Sequence, residues 1–190
     1  MQLYGSDTSP FARRLRMMCM QQNLNVTYEH IDIFSAEGRK KLLSLSPVAK
    51  IPFLVDGEQV VLDSNVVFDY LCQKHNIAPL GWDERNQLTT INAANDSAVE
   101  LLICARSGFD TSEQRLFFDL QKQRIAQCLS ALNQQVESMQ NEYVLISLFC
   151  LVDWLLFREL EDLTPYPALA VFHQHYQQTP WAQHTDPRQG

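Results

Sequence analysis

Between residues 46 and 71 the sequence changes its hydrophobic period within one short stretch, and few architectures accommodate that pattern. Pro52-Phe53-Leu54-Val55 and Gln59-Val60-Val61-Leu62 are β-forming runs on either side of Asp56-Gly57, a dipeptide that favours a tight hairpin turn. Pro52 opens the first run, where a strand tolerates a missing amide donor. The second run stops at Asp63-Ser64, and Val66, Val67, Tyr70 and Leu71 then recur at helical spacing. Asp and Ser are helix-capping types, so the stretch reads strand, turn, strand, helix. Both of its ends have chemical uses. An X-Pro bond such as Ile51-Pro52 can be cis, turning the chain and leaving the Ile51 backbone free to pair with an extended peptide. The first amides of the helix form an anion site, and the Ser64 hydroxyl adds a donor. A short peptide carrying a carboxylate would use both. An ordinary hairpin packed on a helix explains the same residues without a ligand.

The preceding residues supply two more strand–helix pairs. Residues 2–5 read as a strand. Ser6-Asp7-Thr8-Ser9-Pro10 is dense in capping types, with Pro10 at a first helical position. Phe11, Leu15, Met18 and Cys19 then mark one face of a helix to about Gln22. Residues 26–33 read as a second strand, and residues 35–45 as a helix that the pre-proline Ser46 stops. The result is a βαβαββα unit over residues 1–76. After the linker-like Ala78-Pro79-Leu80-Gly81 the pattern is helical, giving a second domain over residues 84–190. One helix carries Leu88, Ile91, Ala94, Ala98 and Leu101, and another Ile125, Leu129, Leu132, Val136 and Met139. Such stripes are core packing rather than a cofactor box. A third helix is expected to begin near Cys150 and a fourth to cover residues 168–176. The polar tail after Thr179 is expected to be loosely held.

Composition narrows the chemistry. Hydrophobic residues are 46% of the 190 and charged residues 19%, ordinary values for a globular protein. No apolar run is long enough to span a membrane, and the N-terminal residues read as strand rather than signal peptide. The 5 cysteines are scattered without a CxxC pair, which supports neither a zinc site nor a dithiol motif and fits reduced thiols in the cytoplasm. Residues 1–76 are electrically neutral, so the acidic second half carries the whole net charge of −7. That balance argues against nucleic-acid binding. The first half concentrates its positive charge at Arg13, Arg14, Arg16, Arg39, Lys40, Lys41 and Lys50, a pattern that suits a small anion.

The order βαβαββα followed by an all-helical half resembles the cytosolic glutathione transferases. Ser9-Pro10-Phe11 with Arg13 resembles the Ser-Pro-Phe element of the serine-type members, including the plant tau class and several bacterial ones. Pro47-Val48-Ala49-Lys50-Ile51-Pro52 resembles the family's Asn-Pro-x-Gly-Lys-Val-Pro element. Asp63-Ser64 resembles its Glu/Asp-Ser pair, and Phe149-Cys150-Leu151-Val152-Asp153 its Phe-Ser-x-Ala-Asp capping box. The resemblance covers essentially the whole chain. It implies a thioredoxin-like N-terminal domain followed by a helical C-terminal domain. It also implies a cytoplasmic homodimer that conjugates glutathione, its co-substrate, to a hydrophobic electrophile or uses it to reduce peroxides. No further cofactor, metal, nucleic acid or membrane is implied.

The resemblance also assigns roles. The Ile51 backbone, before a cis Pro52, would pair with the cysteinyl unit of glutathione. Asp63 and Ser64 would hold the γ-glutamyl end. Lys50 would face the glycyl carboxylate, with Arg39 or Lys40 as possible helpers. Ser9 would donate a hydrogen bond to the sulfur, because a hydroxyl donor and a helix N-terminus both favour the reactive thiolate. A plain N-cap before Pro10 is the competing reading of Ser9, and Thr8 and Ser6 are its nearest rivals. Tyr4 lies inside the first strand. Arg13 reads as a structural ion pair. Leu102, Arg106 and Phe109 are candidates for the electrophile pocket. Ser at position 9 argues against the family's thiol reductases, and Cys19, on the apolar face of its helix, against thiol–disulfide exchange. Ser46, Ala49 and Cys150 depart from the family pattern, as does the lack of Gly-Asp before Cys150. A different class of function remains open: a transferase-like binding module resembling the stringent starvation proteins.

Overall fold

Four short strands and the helices between them follow from the alternation of apolar residues. In the computed structural model, which describes residues 1–189, β1 (Gln2–Gly5), β2 (Thr27–His30), β3 (Phe53–Asp56) and β4 (Gln59–Leu62) form one sheet in the order β2-β1-β3-β4. β1 and β2 are parallel, as a strand–helix–strand crossover requires. β3 is antiparallel to both β1 and β4. Helix α1 (Pro10–Gln21) connects β1 to β2, α2 (Ala36–Leu45) leads from β2 toward β3, and α3 (Ser64–His75) follows β4. The pleat sends Tyr4 and Phe53 to one face, where their rings stack at 4.9 Å and pack with Ile31 and Leu42. Leu3, Leu54 and Val61 point to the other face, toward α1 and α3. Gly5 permits that closeness, since a Cβ there would lie 2.5 Å from the Ala12 Cβ.

The hairpin forms one residue later than Asp-Gly alone suggests. Asp56 pairs with Gln59, so Gly57 and Glu58 are the central residues. Of these two Gly57 has the positive φ, 61°, the pattern of a type II′ turn with Gly at its first central position.

The chain divides into two compact units, residues 1–79 with 179–190, and residues 80–178. The second is helical: α4 (Trp82–Arg106), α5 (Leu116–Gln135), α6 (Glu142–Phe157) and α7 (Pro167–Tyr176). Helix α6 is buried on nearly every side from Tyr143 to Leu155, as expected of a helix apolar all round. Asn133 of α5 caps α7, accepting from the amides of Ala168 and Leu169 at 2.9 and 3.1 Å.

Two expectations are corrected here. Helix α6 does not start at Cys150. Its N-cap is Asn141, whose Oδ1 accepts from the Tyr143 and Val144 amides at 3.0 and 3.3 Å. Without a Gly-Asp turn, residues 142–149 simply continue the helix, and Cys150 is buried in its middle. Asp153, the last residue of the supposed capping box, instead meets the His173 Nε2 of α7 at 2.8 Å. Nor is the tail loose. Residues Pro180–His184 form a short helix, α8, capped by Thr179. The buried Arg13 of α1 donates to Thr185 Oγ1 at 3.1 Å and to the Ala182 carbonyl at 3.0 Å, which ties the tail to the sheet unit.

Candidate functional site

The register of the sheet gathers the candidate residues. Tyr4 is opposite Phe53, and Phe53 is opposite Leu62. The end of β1, the start of β3 and the end of β4 therefore share one edge. Residues 6–9, Ile51-Pro52 and Asp63-Ser64 are the segments that leave or enter there. Three stretches far apart in sequence meet because antiparallel pairing aligns opposite chain ends.

At the first, Ser9 is the N-cap of α1 (φ −86°, ψ 121°), and its Oγ accepts from the Ala12 amide at 3.3 Å. That bond uses an oxygen lone pair and leaves the hydroxyl proton to donate. The rivals Ser6 and Thr8 have their hydroxyl oxygens 3.4 Å from each other. The Tyr4 hydroxyl donates to Gln2 Oε1 at 3.0 Å. Arg13 is held by the tail, as described above. Cys19 is buried, and burial pushes its thiol up to about 12, which leaves little thiolate at neutral pH.

At the second, the Ile51-Pro52 bond is cis. Ser46, fully buried, steadies the approach: its Oγ donates to the Lys50 carbonyl at 3.5 Å, and the Ala49 amide donates to the Ser46 carbonyl at 3.0 Å. Ala49 stands at φ 52°, a left-handed conformation in which a Cβ is unfavourable. Lys50, Arg39 and Lys40 are all exposed, and the geometry does not choose among them.

At the third, Asp63 is the N-cap of α3, accepting from the Asn65 amide at 2.7 Å. Its backbone sits at φ 67°, ψ 140°, a region populated almost wholly by glycine and costing about 1–3 kcal/mol for other residues. Ser64 is buried at the first helical position, where the amide has no intrahelical acceptor. Below it lies Arg14, which the sequence offered only as one of several basic residues suited to a small anion and not as part of this cap. Arg14, 1% exposed, donates from Nη2 to Ser64 Oγ at 2.6 Å and to Asn65 Oδ1 at 3.1 Å. Its guanidinium also lies 5.1 Å from the Phe11 ring centroid. Besides that charge, the sequence carried one trace of this placement, an aromatic three residues before an arginine on one helix, a spacing that places them together.

Of the expected electrophile residues, Leu102 and Arg106 lie on α4, and Phe109 is 61% exposed in the segment after it.

Comparison with known proteins shows what this geometry is similar to. Residues 3–81 match the glutathione S-transferase N-terminal domain. A probable maleylacetoacetate isomerase of Caenorhabditis elegans is 35% identical over 79 residues, 41% of this chain and 36% of that protein. The first such relatives thus align over little more than a third of their own length. A zeta-class glutathione S-transferase of Euphorbia esula is 24% identical over 98% of this chain and 90% of its own. Among solved structures, a glutathione S-transferase of Methylobacillus flagellatus KT with GSH bound superposes with a TM-score of 0.84 at 22% identity, covering 97% of this chain and 98% of that one. A glutathione transferase family member of Pseudomonas fluorescens Pf-5 with bound glutathione gives 0.83 at 25% identity, with 97% of each chain covered. The chain has the glutathione S-transferase fold, a thioredoxin-like domain followed by a helical one. Its N-terminal part matches the glutathione S-transferase N-terminal domain, and both halves follow the fold of these structural neighbours.

Proposed function

We propose that the protein is a glutathione transferase that binds glutathione along the shared edge of β1, β3 and β4. The observation that carries this reading is the meeting of the Ser9 helix cap, the cis Ile51-Pro52 bond and the Asp63-Ser64 cap at that edge. The Ile51 backbone pairs with the cysteinyl unit. Asp63 accepts from the γ-glutamyl ammonium, and Ser64 donates to the neighbouring carboxylate through its amide and hydroxyl. Lys50 faces the glycyl end. Ser9 donates its proton to the sulfur while still accepting the Ala12 amide, so binding does not uncap α1. The thiolate then attacks an electrophilic carbon: a sulfur–carbon bond forms, and the displaced electron pair leaves with the leaving group or passes into the acceptor's π system. Ser9 stabilises the nucleophile and is never itself bonded to the substrate. The reading includes a hydrophobic electrophile, a homodimer and a cytoplasmic setting.

The test is retention on immobilised glutathione, followed by thiolate absorbance of bound glutathione against pH. Ser9→Ala removes a donor that favours the charged form, so the bound thiol should titrate at higher pH. Turnover at neutral pH should fall and recover as pH rises, with glutathione affinity little changed. Superimposable titration curves for wild type and Ser9→Ala would remove Ser9 from this role. Retention without turnover on a panel of electrophiles would favour the binding-module reading.

A further inference from the structure

We propose that Arg14 is the positioning residue that makes the Ser64 cap selective for a carboxylate. This rests on the glutathione reading above and deepens it at one end of the ligand. The sequence places Arg14 on α1, the helix that carries Ser9, and the structure turns it inward under the first turn of α3. Its Nη2 reaches both Ser64 Oγ (2.6 Å) and Asn65 Oδ1 (3.1 Å), and the residue is 1% exposed. A buried guanidinium so placed has two consequences.

The first concerns a proton. Ser64 Oγ accepts from Arg14, so the hydroxyl is directed away from Arg14 and can donate its own hydrogen only elsewhere. Arg14 thereby presents Ser64 as a donor. The second concerns charge. The guanidinium lies one hydroxyl removed from the site where a ligand carboxylate meets the α3 amides, in surroundings far less screening than water. Its field adds to that of the helix end and has the same sign. Asn65 Oδ1 holds the same Nη2 from a second side, and the Phe11 ring lies alongside the guanidinium at 5.1 Å. Because Arg14 and Ser9 share one helix, the group that orients the carboxylate and the group proposed for the sulfur are set by a single rigid element.

Arg14 touches Ser64 rather than the ligand, so loss of affinity alone would not separate positioning from simple support of the fold. The separating measurement compares two ligands. One is glutathione. The other is its analogue without the γ-glutamyl α-carboxylate, γ-aminobutyryl-cysteinyl-glycine. Calorimetric titration of wild type should favour glutathione by at least about tenfold, the scale of a charge-assisted hydrogen bond. Arg14→Lys keeps a positive charge, but its ammonium ends one bond short of the position from which Nη2 reaches both acceptors. It should weaken glutathione while leaving the analogue nearly unchanged, so the preference falls to about threefold or less. A purely structural role would weaken both ligands by the same factor. Asn65→Ala, which leaves Arg14 on Ser64 but removes its second anchor, should give an intermediate preference. It carries the test if Arg14→Lys does not fold.

An undiminished preference in Arg14→Lys, or in Asn65→Ala where that variant stands in for it, overturns the proposal for Arg14 while the glutathione reading stands. Wild type that binds neither ligand overturns the reading of the site and the proposal together. Wild type that binds both equally leaves glutathione binding in place and removes the carboxylate from the α3 terminus, and the role of Arg14 with it.

Discussion

The two units of this molecule solve different problems, and their residues show it. The sheet unit keeps buried polar side chains at Arg13, Arg14, Ser46 and Ser64. At its candidate ligand edge it also holds Ala49 and Asp63 at positive φ. The helical unit also buries polar side chains, at Asn95, Ser97, Gln121, Ser147 and Asp153, but these sit among the apolar faces of its helices. Its non-glycine residue of positive φ among the described residues, Glu159, lies in an exposed connection after α6. The contrast recurs in the comparisons. Residues 3–81 match the N-terminal domain model by sequence, whereas over the whole chain the plant relative is only 24% identical, although the fold superposes on the Methylobacillus structure with a TM-score of 0.84. A ligand edge needs particular atoms at particular places, which restricts residue types. A helix bundle needs volume and period, which many sequences satisfy.

The sharpest challenge to that contrast is a buried carboxylate in the helical unit. Asp153, 3% exposed, meets His173 at 2.8 Å, and the His173 ring stacks 5.5 Å from Phe149. Removing one partner strands the other in the interior. Asp153→Ala should therefore cost about 1–3 kcal/mol in a denaturant melt, the penalty of leaving a largely buried hydrogen-bonding group without its partner. Glutathione affinity, measured below the transition, should persist. A loss under about 1 kcal/mol, the range of exposed pairs, would mean that water reaches the pair.

Cys150 tests the apolar side of the same contrast. It is fully buried in mid-α6, so Cys150→Ser puts a hydroxyl into the core. The new hydroxyl can bond the carbonyl one turn back, which limits the penalty to about 1–2 kcal/mol. A gain in stability instead would signal that the helix begins at residue 150 in solution.

The error over Cys150 shows where sequence reasoning stopped. The strands, the cis-prone Ile51-Pro52 and the Asp63 cap were legible because each rests on local chemistry: a turn dipeptide, a proline, a side-chain acceptor before an apolar run. The start of α6 was not, because Cys150 fits a motif position while Asn141, nine residues earlier, is an equally good cap. An apolar run such as Val144 to Phe149 is silent about which of the two is used. The α8 tail was missed for a related reason. Its polar composition looks solvent-bound, but Arg13 and Thr185 satisfy each other across 172 positions of sequence, a distance no periodicity reports. Arg14 was hidden the same way, since a charge on an amphipathic helix ordinarily marks the wet face.

The smallest effect gives the finest comparison, because it asks the same question of both units. Ala49 has φ 52° and Glu159 φ 53°, nearly the same left-handed conformation. Glycine enters that region without a Cβ penalty but loses more freedom on folding. Ala49→Gly and Glu159→Gly should each raise stability by about 0.5–1 kcal/mol, read as a shift in the denaturant midpoint at constant slope. Their effect on ligand should differ. Ala49 follows the Ser46 anchor and precedes Lys50 and Ile51, so a more flexible residue there loosens a segment that must be ordered to pair with a peptide. Glutathione affinity should fall slightly in Ala49→Gly, by about twofold, and stay unchanged in Glu159→Gly. Equal affinities in both variants would show that residues 46–51 are held by the Ser46 hydrogen bonds alone. The glycine of the Asn-Pro-x-Gly-Lys-Val-Pro element that this stretch resembles would then serve backbone strain and not the ligand.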